Sequence, residues 1–201
     1  SEILANISSH LPVEYDHVYV KGDLGSSSLK GILTESGIDF LGAQMDYRII
    51  SSPIRIKDSI IVGNTDFSRT LFRDETDFEG STFKNQAHFE GSVFNSSAHF
   101  DHSKFNSIAD FNNSEFKSNA SFSGAEFNST AYFPRTQFNS AADFSGTLFE
   151  DNVFFSVSEF NRYADFGGSE FRSDADFGYI VFNDYANFSY SIFNDTVFME
   201  S

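Results

Sequence analysis

The chain has 201 residues, among them 27 Phe and no Cys, and its formal net charge is −16. The lack of Cys excludes disulfides and thiolate metal sites. An acidic chain without a basic stripe is not expected to bind nucleic acid or an anionic membrane directly. No apolar run approaches the ~20 residues of a membrane span, and the first residues do not resemble a signal peptide, so we expect a cytoplasmic protein.

The first 47 residues are predicted to form an N-terminal cap with entry strands. Ile3, Leu4 and Ile7 lie at helical spacing, which predicts a short amphipathic helix over the first coil of the repeat region. The segment 13–24 is typical of an entry strand, and the segment 25–47 is irregular, with a predicted loop at Ser26–Ser28.

Residues 48–199 are predicted to form one continuous repeat domain, because Phe recurs there in steps that alternate between five and six residues. A helical 11-residue repeat is excluded, since Ser, Asn, Asp and Gly are poor helix formers. The rings in this register, which we predict to form the structural core, are Phe67, Phe72, Phe78, Phe83, Phe89, Phe94, Phe100, Phe105, Phe111, Phe116, Phe122, Phe127, Phe133, Phe138, Phe144, Phe149, Phe155, Phe160, Phe166, Phe171, Phe177, Phe182, Phe188 and Phe193.

A small residue precedes nearly every one of these rings by two positions, as Ala142 precedes Phe144 and Thr147 precedes Phe149. In extended backbone these two residues share a face, so both are predicted to point inward. The residue between them points outward, and the sixth residue of every second unit is predicted to lie at an outward corner.

The units ADFNN (109–113), ADFSG (142–146), ADFGG (164–168) and ANFSY (186–190) resemble the pentapeptide-repeat family, whose motif reads Ala-Asp/Asn-Leu/Phe-x-x. The resemblance implies an all-β fold, a right-handed parallel β-helix of square cross-section with one unit per side. Four sides of five or six residues make about 22 residues per coil, with stacked Phe rings inside. The chain departs from the family pattern in preferring Phe to Leu and in its sixth residue.

No motif in the chain points to catalysis, so we expect neither an enzyme nor a cofactor or metal. The densest set of ligand types is His99, Asp101 and His102, and the sequence leaves open whether these three bind a metal. Asp143 and Asp165 are predicted to stack in adjacent coils, but a solid Phe core leaves no pocket in which either carboxylate would be desolvated.

The expected function is therefore a non-catalytic structural or protein-interaction scaffold. Exposed large aromatic side chains are typical of interfaces and are concentrated late in the chain. We expect a homodimer through the C-terminal end or through the aromatic edge, or binding to another protein. The alternative is an acidic DNA mimic that binds a type II topoisomerase (DNA gyrase), which some pentapeptide-repeat proteins do. The candidate interface residues are Tyr132, Phe154, Val157, Tyr179, Val181, Tyr163 and Tyr185.

Overall fold

Four sheets run side by side along the chain, and each full coil contributes one strand to each of them. The computed structural model describes residues 2–25, 34–38 and 44–200. Within this part the chain passes from sheet A to sheets B, C and D and then begins the next coil at sheet A. Helix α1 (Glu2–Ser8) precedes the first strand.

The strands are numbered in chain order. Sheet A contains β1 (Val13–Asp16), β5 (Ile54–Lys57), β9 (Thr76–Asp77), β13 (Ala98–His99), β17 (Ala120–Ser121), β21 (Ala142–Asp143), β25 (Ala164–Asp165) and β29 (Ala186–Asn187). Sheet B contains β2 (Tyr19–Val20), β6 (Ile60–Ile61), β10 (Thr82–Phe83), β14 (Lys104–Phe105), β18 (Glu126–Phe127), β22 (Leu148–Phe149), β26 (Glu170–Phe171) and β30 (Ile192–Phe193).

Sheet C contains β7 (Thr65–Asp66), β11 (Ala87–His88), β15 (Ala109–Asp110), β19 (Ala131–Tyr132), β23 (Val153–Phe154), β27 (Ala175–Asp176) and β31 (Val197–Phe198). Sheet D contains β3 (Thr34–Ile38), β4 (Gln44–Ile50), β8 (Thr70–Phe72), β12 (Val93–Phe94), β16 (Glu115–Phe116), β20 (Gln137–Phe138), β24 (Glu159–Phe160) and β28 (Val181–Phe182).

The register between neighbouring strands confirms the predicted coil of 22 residues. Ala87 pairs with Ala109 in sheet C, and Phe83 pairs with Phe105 in sheet B, both in parallel. The predicted fold class is therefore confirmed: the protein is a β-solenoid of about seven coils with four sides and one N-terminal helix. None of the described helical residues forms a segment with the length and apolar character needed to cross a bilayer.

The interior is a set of Phe columns, in which each ring stacks on the ring one coil away. Phe94 and Phe116 lie 4.6 Å apart at an interplanar angle of 2°, while Phe100 meets Phe111 edge-on at 81°. Stacked and edge-to-face pairs both stabilise beyond area burial. The rings from Phe67 to Phe177 that keep the five–six register are all buried, whereas Phe182, Phe188 and Phe193 in the last coil are only half-buried.

Hydroxyl groups at the second small position of each repeat bond to the backbone of the preceding coil. Ser92 Oγ donates to the carbonyl of Phe67 at 2.6 Å, and Ser114 Oγ donates to that of Phe89 at 2.7 Å. The first small position is usually Ala, and where Thr stands there instead, at Thr65 and Thr76, the buried hydroxyl has no hydrogen-bond partner in the described part of the chain.

The N-terminal segment begins the solenoid with a shorter coil. Ile3 and Ile7 of α1 are buried in the core, as the predicted cap requires. The segment 13–24 is not a single entry strand: β1 and β2 lie in sheets A and B, and Leu24 bridges to Thr65 in sheet C. Part of the segment predicted to be irregular forms an antiparallel hairpin of β3 and β4. The predicted loop at Ser26–Ser28 lies outside the described residues.

Candidate functional site

The outward Asp side chains of the repeat bond to their own backbone. Asp143 Oδ1 accepts the amide of Ser145, and Asp165 Oδ1 accepts the amide of Gly167, both at 2.8 Å. Such bonds stabilise the turn after each strand. Asp165 Oδ2 also accepts the hydroxyl of Tyr163, and this bond raises the pKa of Tyr163. The two carboxylates stack in register, as predicted, and are engaged in turn geometry.

The three candidate metal ligands His99, Asp101 and His102 do not converge on one point. His99 Nε2 lies 3.5 Å from Glu75, and its Nδ1 lies 3.6 Å from Asp101, so its two nitrogens face different carboxylates. His102 lies at a corner with φ of 55°, beside Gly124. A Cβ added at Gly124 would lie 2.5 Å from His102 Nδ1, so this glycine makes room for the ring.

A different group of ligand types does converge, and the sequence pattern does not predict it. Asp16, His17 and Asp58 each offer one ligand atom, and these atoms lie within 4.8 Å of one another on the exposed surface. His17 Nδ1 is 2.7 Å from Asp16 Oδ1, which makes an ion pair when the His is protonated. His17 and Asp58 are 41 residues apart, so the 22-residue period does not reveal that they are neighbours.

Five of the candidate interface residues follow the edge between sheets C and D. Tyr132 and Phe154 stack on the outer face of sheet C with centroids 5.3 Å apart. Val157 and Tyr179 occupy the adjoining corner, and both are exposed, as is Val181 on sheet D. We call these five residues the aromatic edge.

Tyr163 and Tyr185 lie at the next corner, between sheets D and A. Their rings stack at 5.8 Å with an interplanar angle of 3°, and both are exposed. Glu75, Ser97 and Asn119 hold the same corner in earlier coils, so the aromatic pair is a feature of the C-terminal coils alone.

The family model described as pentapeptide repeats (9 copies) matches residues 58–103 and 89–137. The matched coils have the same four-sided geometry as the coils on either side of them. The chain is a pentapeptide-repeat protein. Neither a curated protein nor a solved structure gives a significant match to it.

This pentapeptide-repeat protein has unusual residues at the tight corners of its last coils. Every second corner requires a residue with φ near +60°, and Gly fills it at Gly91, Gly124 and Gly146. Val157 and Tyr179 adopt φ of 62° and 55° at equivalent corners. A left-handed conformation is unfavourable for bulky side chains and marks candidate functional positions.

The C-terminal end of the solenoid is open in the described structure. β28, β29, β30 and β31 are the terminal strands of their sheets. A cleft of about 320 Å³ at this end is lined by Phe177, Ile180, Phe182, Phe188 and Met199 together with Glu200. The rings that would be buried by another coil are therefore accessible here.

Proposed function

We propose that this pentapeptide-repeat protein is a non-catalytic scaffold that binds a second copy of itself through its open C-terminal end and another protein through the aromatic edge. The observation that carries the proposal is the distribution of exposed large hydrophobic side chains. Nine of the twelve among the described residues lie after residue 156, where Met199 is 67% exposed and Tyr179 is 58% exposed. Apolar patches of this kind mark interaction sites.

The surface chemistry supports a non-catalytic role. The Asp residues that precede the rings accept backbone amides, as Asp143 and Asp176 do at 2.8 Å. Cationic side chains are paired with acids, for example Lys104 with Glu126 and Arg172 with Glu150. A general acid or base needs a partly desolvated site with a perturbed pKa, and the outward columns of this solenoid are wet.

Sedimentation velocity of three proteins tests the proposal. The end variant Tyr190→Ser with Met199→Ser removes two exposed side chains of the last coil. The edge variant Phe154→Ser with Tyr179→Ser removes the centre of the aromatic edge. We expect the wild-type protein to sediment as a dimer, the end variant as a monomer and the edge variant as a dimer.

A control variant, His88→Ser with Arg69→Ser, changes the sites that correspond to Phe154 and Tyr179 in earlier coils, and it should leave the dimer intact. A wild-type protein that stays monomeric at ~100 μM would contradict the self-association. Dissociation by the edge variant alone would place the dimer contact on the aromatic edge.

The net charge of −16 favours a second candidate, an acidic rod that binds a type II topoisomerase in place of DNA. Against it, uncharged residues interrupt the acidic columns, since Tyr132 and Phe154 stand between Asp110 and Asp176 on sheet C. A gyrase supercoiling assay separates the two candidates. Inhibition or protection at micromolar protein supports the mimic, and no effect rules it out.

A further inference from the structure

The outer face of sheet C contains a gap in a column of aromatic rings. Tyr132, Phe154, Asp176 and Phe198 succeed one another in register, one coil apart, so the third position holds a carboxylate where its neighbours hold rings. Adjacent layers of a sheet rise by about 4.8 Å, and Phe154 and Phe198 are therefore about 10 Å apart along the column. That distance leaves room for one more flat group between them.

The gap is also deeper than the surface around it. Its floor continues to Gly178, where the equivalent residues of the neighbouring coils are Ser156 and Glu200. The resulting cleft has a volume of about 350 Å³ and is lined by Phe154, Ser156, Asp176, Gly178, Tyr179, Phe198 and Glu200. Its walls are aromatic, and its floor and rim carry one carboxylate each.

Two contacts hold these groups in place. Asp176 Oδ1 accepts the amide of Gly178 at 2.8 Å, which fixes the carboxylate with Oδ2 as its other acceptor. At the rim, the Tyr179 amide donates to the carbonyl of Glu200 at 2.6 Å, and the Tyr179 hydroxyl lies 3.4 Å from Glu200 Oε2. The cleft is thus a shaped feature of the folded backbone.

We propose that this cleft binds an arginine side chain of a partner protein, with the guanidinium inserted between Phe154 and Phe198 and bonded to Asp176. A guanidinium is flat, stacks on aromatic faces and donates hydrogen bonds in its own plane. The ring separation suits a flat group, because stacked rings elsewhere in the protein lie 4.6 to 5.0 Å apart. The inference rests on the proposed role of the aromatic edge, since Phe154 and Tyr179 belong to both.

Charge decides which flat group fits. Asp176 and Glu200 favour a cation over a neutral aromatic ring, and the net charge of −16 disfavours a nucleotide with its phosphates. Lysine has the charge but not the plane, so it cannot both stack on two rings and donate a fork to one carboxylate. Arginine is also among the residues most enriched at protein interfaces.

Three blocked tripeptides, Gly-Arg-Gly, Gly-Lys-Gly and Gly-citrulline-Gly, test the proposal by NMR titration of the ¹⁵N-labelled protein. Citrulline keeps the planar shape of arginine without its charge. We expect the arginine peptide to shift the amides of Asp176, Gly178, Tyr179 and Phe198 and to bind roughly tenfold more tightly than either control peptide. Ring currents should also move the arginine Cδ protons upfield.

Two variants of the cleft supply matched controls. Asp176→Asn removes the charge but keeps the turn, because Asn187 at the equivalent position of sheet A accepts the amide of Ser189 in the same way. We expect it to weaken arginine binding about fivefold. Asp176→Tyr fills the gap as Tyr132 and Phe154 fill theirs, and it should abolish the arginine-specific shifts. Asp143→Asn removes the same charge from sheet A and should bind as the wild type does.

Equal binding of the citrulline and arginine peptides would overturn the proposal, and so would equal losses in Asp176→Asn and Asp143→Asn, since the attraction would then be a general effect of acidic charge. Absence of any arginine-specific shift in the wild-type protein also overturns it. The sedimentation measurement is separate: a monomer that binds the arginine peptide contradicts only the dimer, and a dimer without shifts contradicts only the cleft.

Discussion

The first and last coils of this solenoid differ in what covers them. At the N-terminal end, Ile3 and Ile7 of α1 close the core, and Ile54, Ile56 and Ile61 beneath them are fully buried. At the C-terminal end, Phe188 and Phe193 are half-buried, and Phe198 is 48% exposed. Solenoids need atypical terminal repeats because each repeat is completed by its neighbour.

The difference between the two ends separates structural code from surface function. Through the middle coils the inward Phe and small residues repeat almost without change, because each must match the coil above and below. The outward positions change freely, and only near the open end do they become aromatic, at Phe154, Tyr163 and Tyr179. A scaffold that keeps its interior constant and varies one end is organised for contact at that end.

Truncating a ring in each region should produce the largest difference. Phe122 stacks on Phe100 at 5.0 Å and on Phe144 at 4.9 Å, whereas Phe193 stacks on Phe171 alone. We expect Phe122→Ala to lower the free energy of unfolding by about 3–5 kcal/mol and Phe193→Ala by less than about half of that. Urea denaturation followed by circular dichroism measures both. Equal losses would mean that the last coil is packed as tightly as the middle.

A second test concerns the strained corners of the last coils. Val157 adopts φ of 62°, which costs a β-branched residue about 1–2 kcal/mol. We expect Val157→Gly to raise the free energy of unfolding by about 1 kcal/mol after the entropy that Gly loses on folding, as measured by urea denaturation.

The reverse substitution provides the control for this test. Gly146 has the same φ of 62°, and a Cβ added there would meet nothing within 4 Å, so Gly146→Val reports backbone strain alone. It should destabilise the protein by about the amount that Val157→Gly stabilises it. A loss of stability in Val157→Gly would show that the Val157 side chain packs, and strain at the aromatic edge would then be excluded.

The sequence predicted the interior better than the surface. The spacing from Phe67 to Phe193 sets the register, so the coil length and the columns followed from counting. The hairpin of β3 and β4 was not predicted, because Val13 and Ile54 pair across 41 residues and the 22-residue period is broken there. The same break hid the group around His17. The cleft at Asp176 was missed because it depends on two absences, of a ring and of a side chain.

The smallest effects should come from the buried hydroxyls, which also differ between regions. Ser114 Oγ donates to the carbonyl of Phe89, and this carbonyl keeps a second donor in the amide of Ser92. Ser114→Ala should therefore cost only about 1 kcal/mol of the free energy of unfolding. Thr76 in an early coil has a buried hydroxyl without a partner among the described residues.

Thr76→Val replaces that hydroxyl with a methyl group of nearly the same size, so no cavity forms and the cost of burying an unpaired polar atom disappears. We expect the free energy of unfolding to rise by about 1 kcal/mol in urea denaturation, opposite in sign to Ser114→Ala. If Thr76→Val destabilises instead, the hydroxyl has a partner such as an ordered water, and the early coils are as well satisfied as the middle ones. If the signs are opposite, the two small positions of the repeat are chemically distinct: one needs a hydroxyl for the coil before it, and the other needs only to be small.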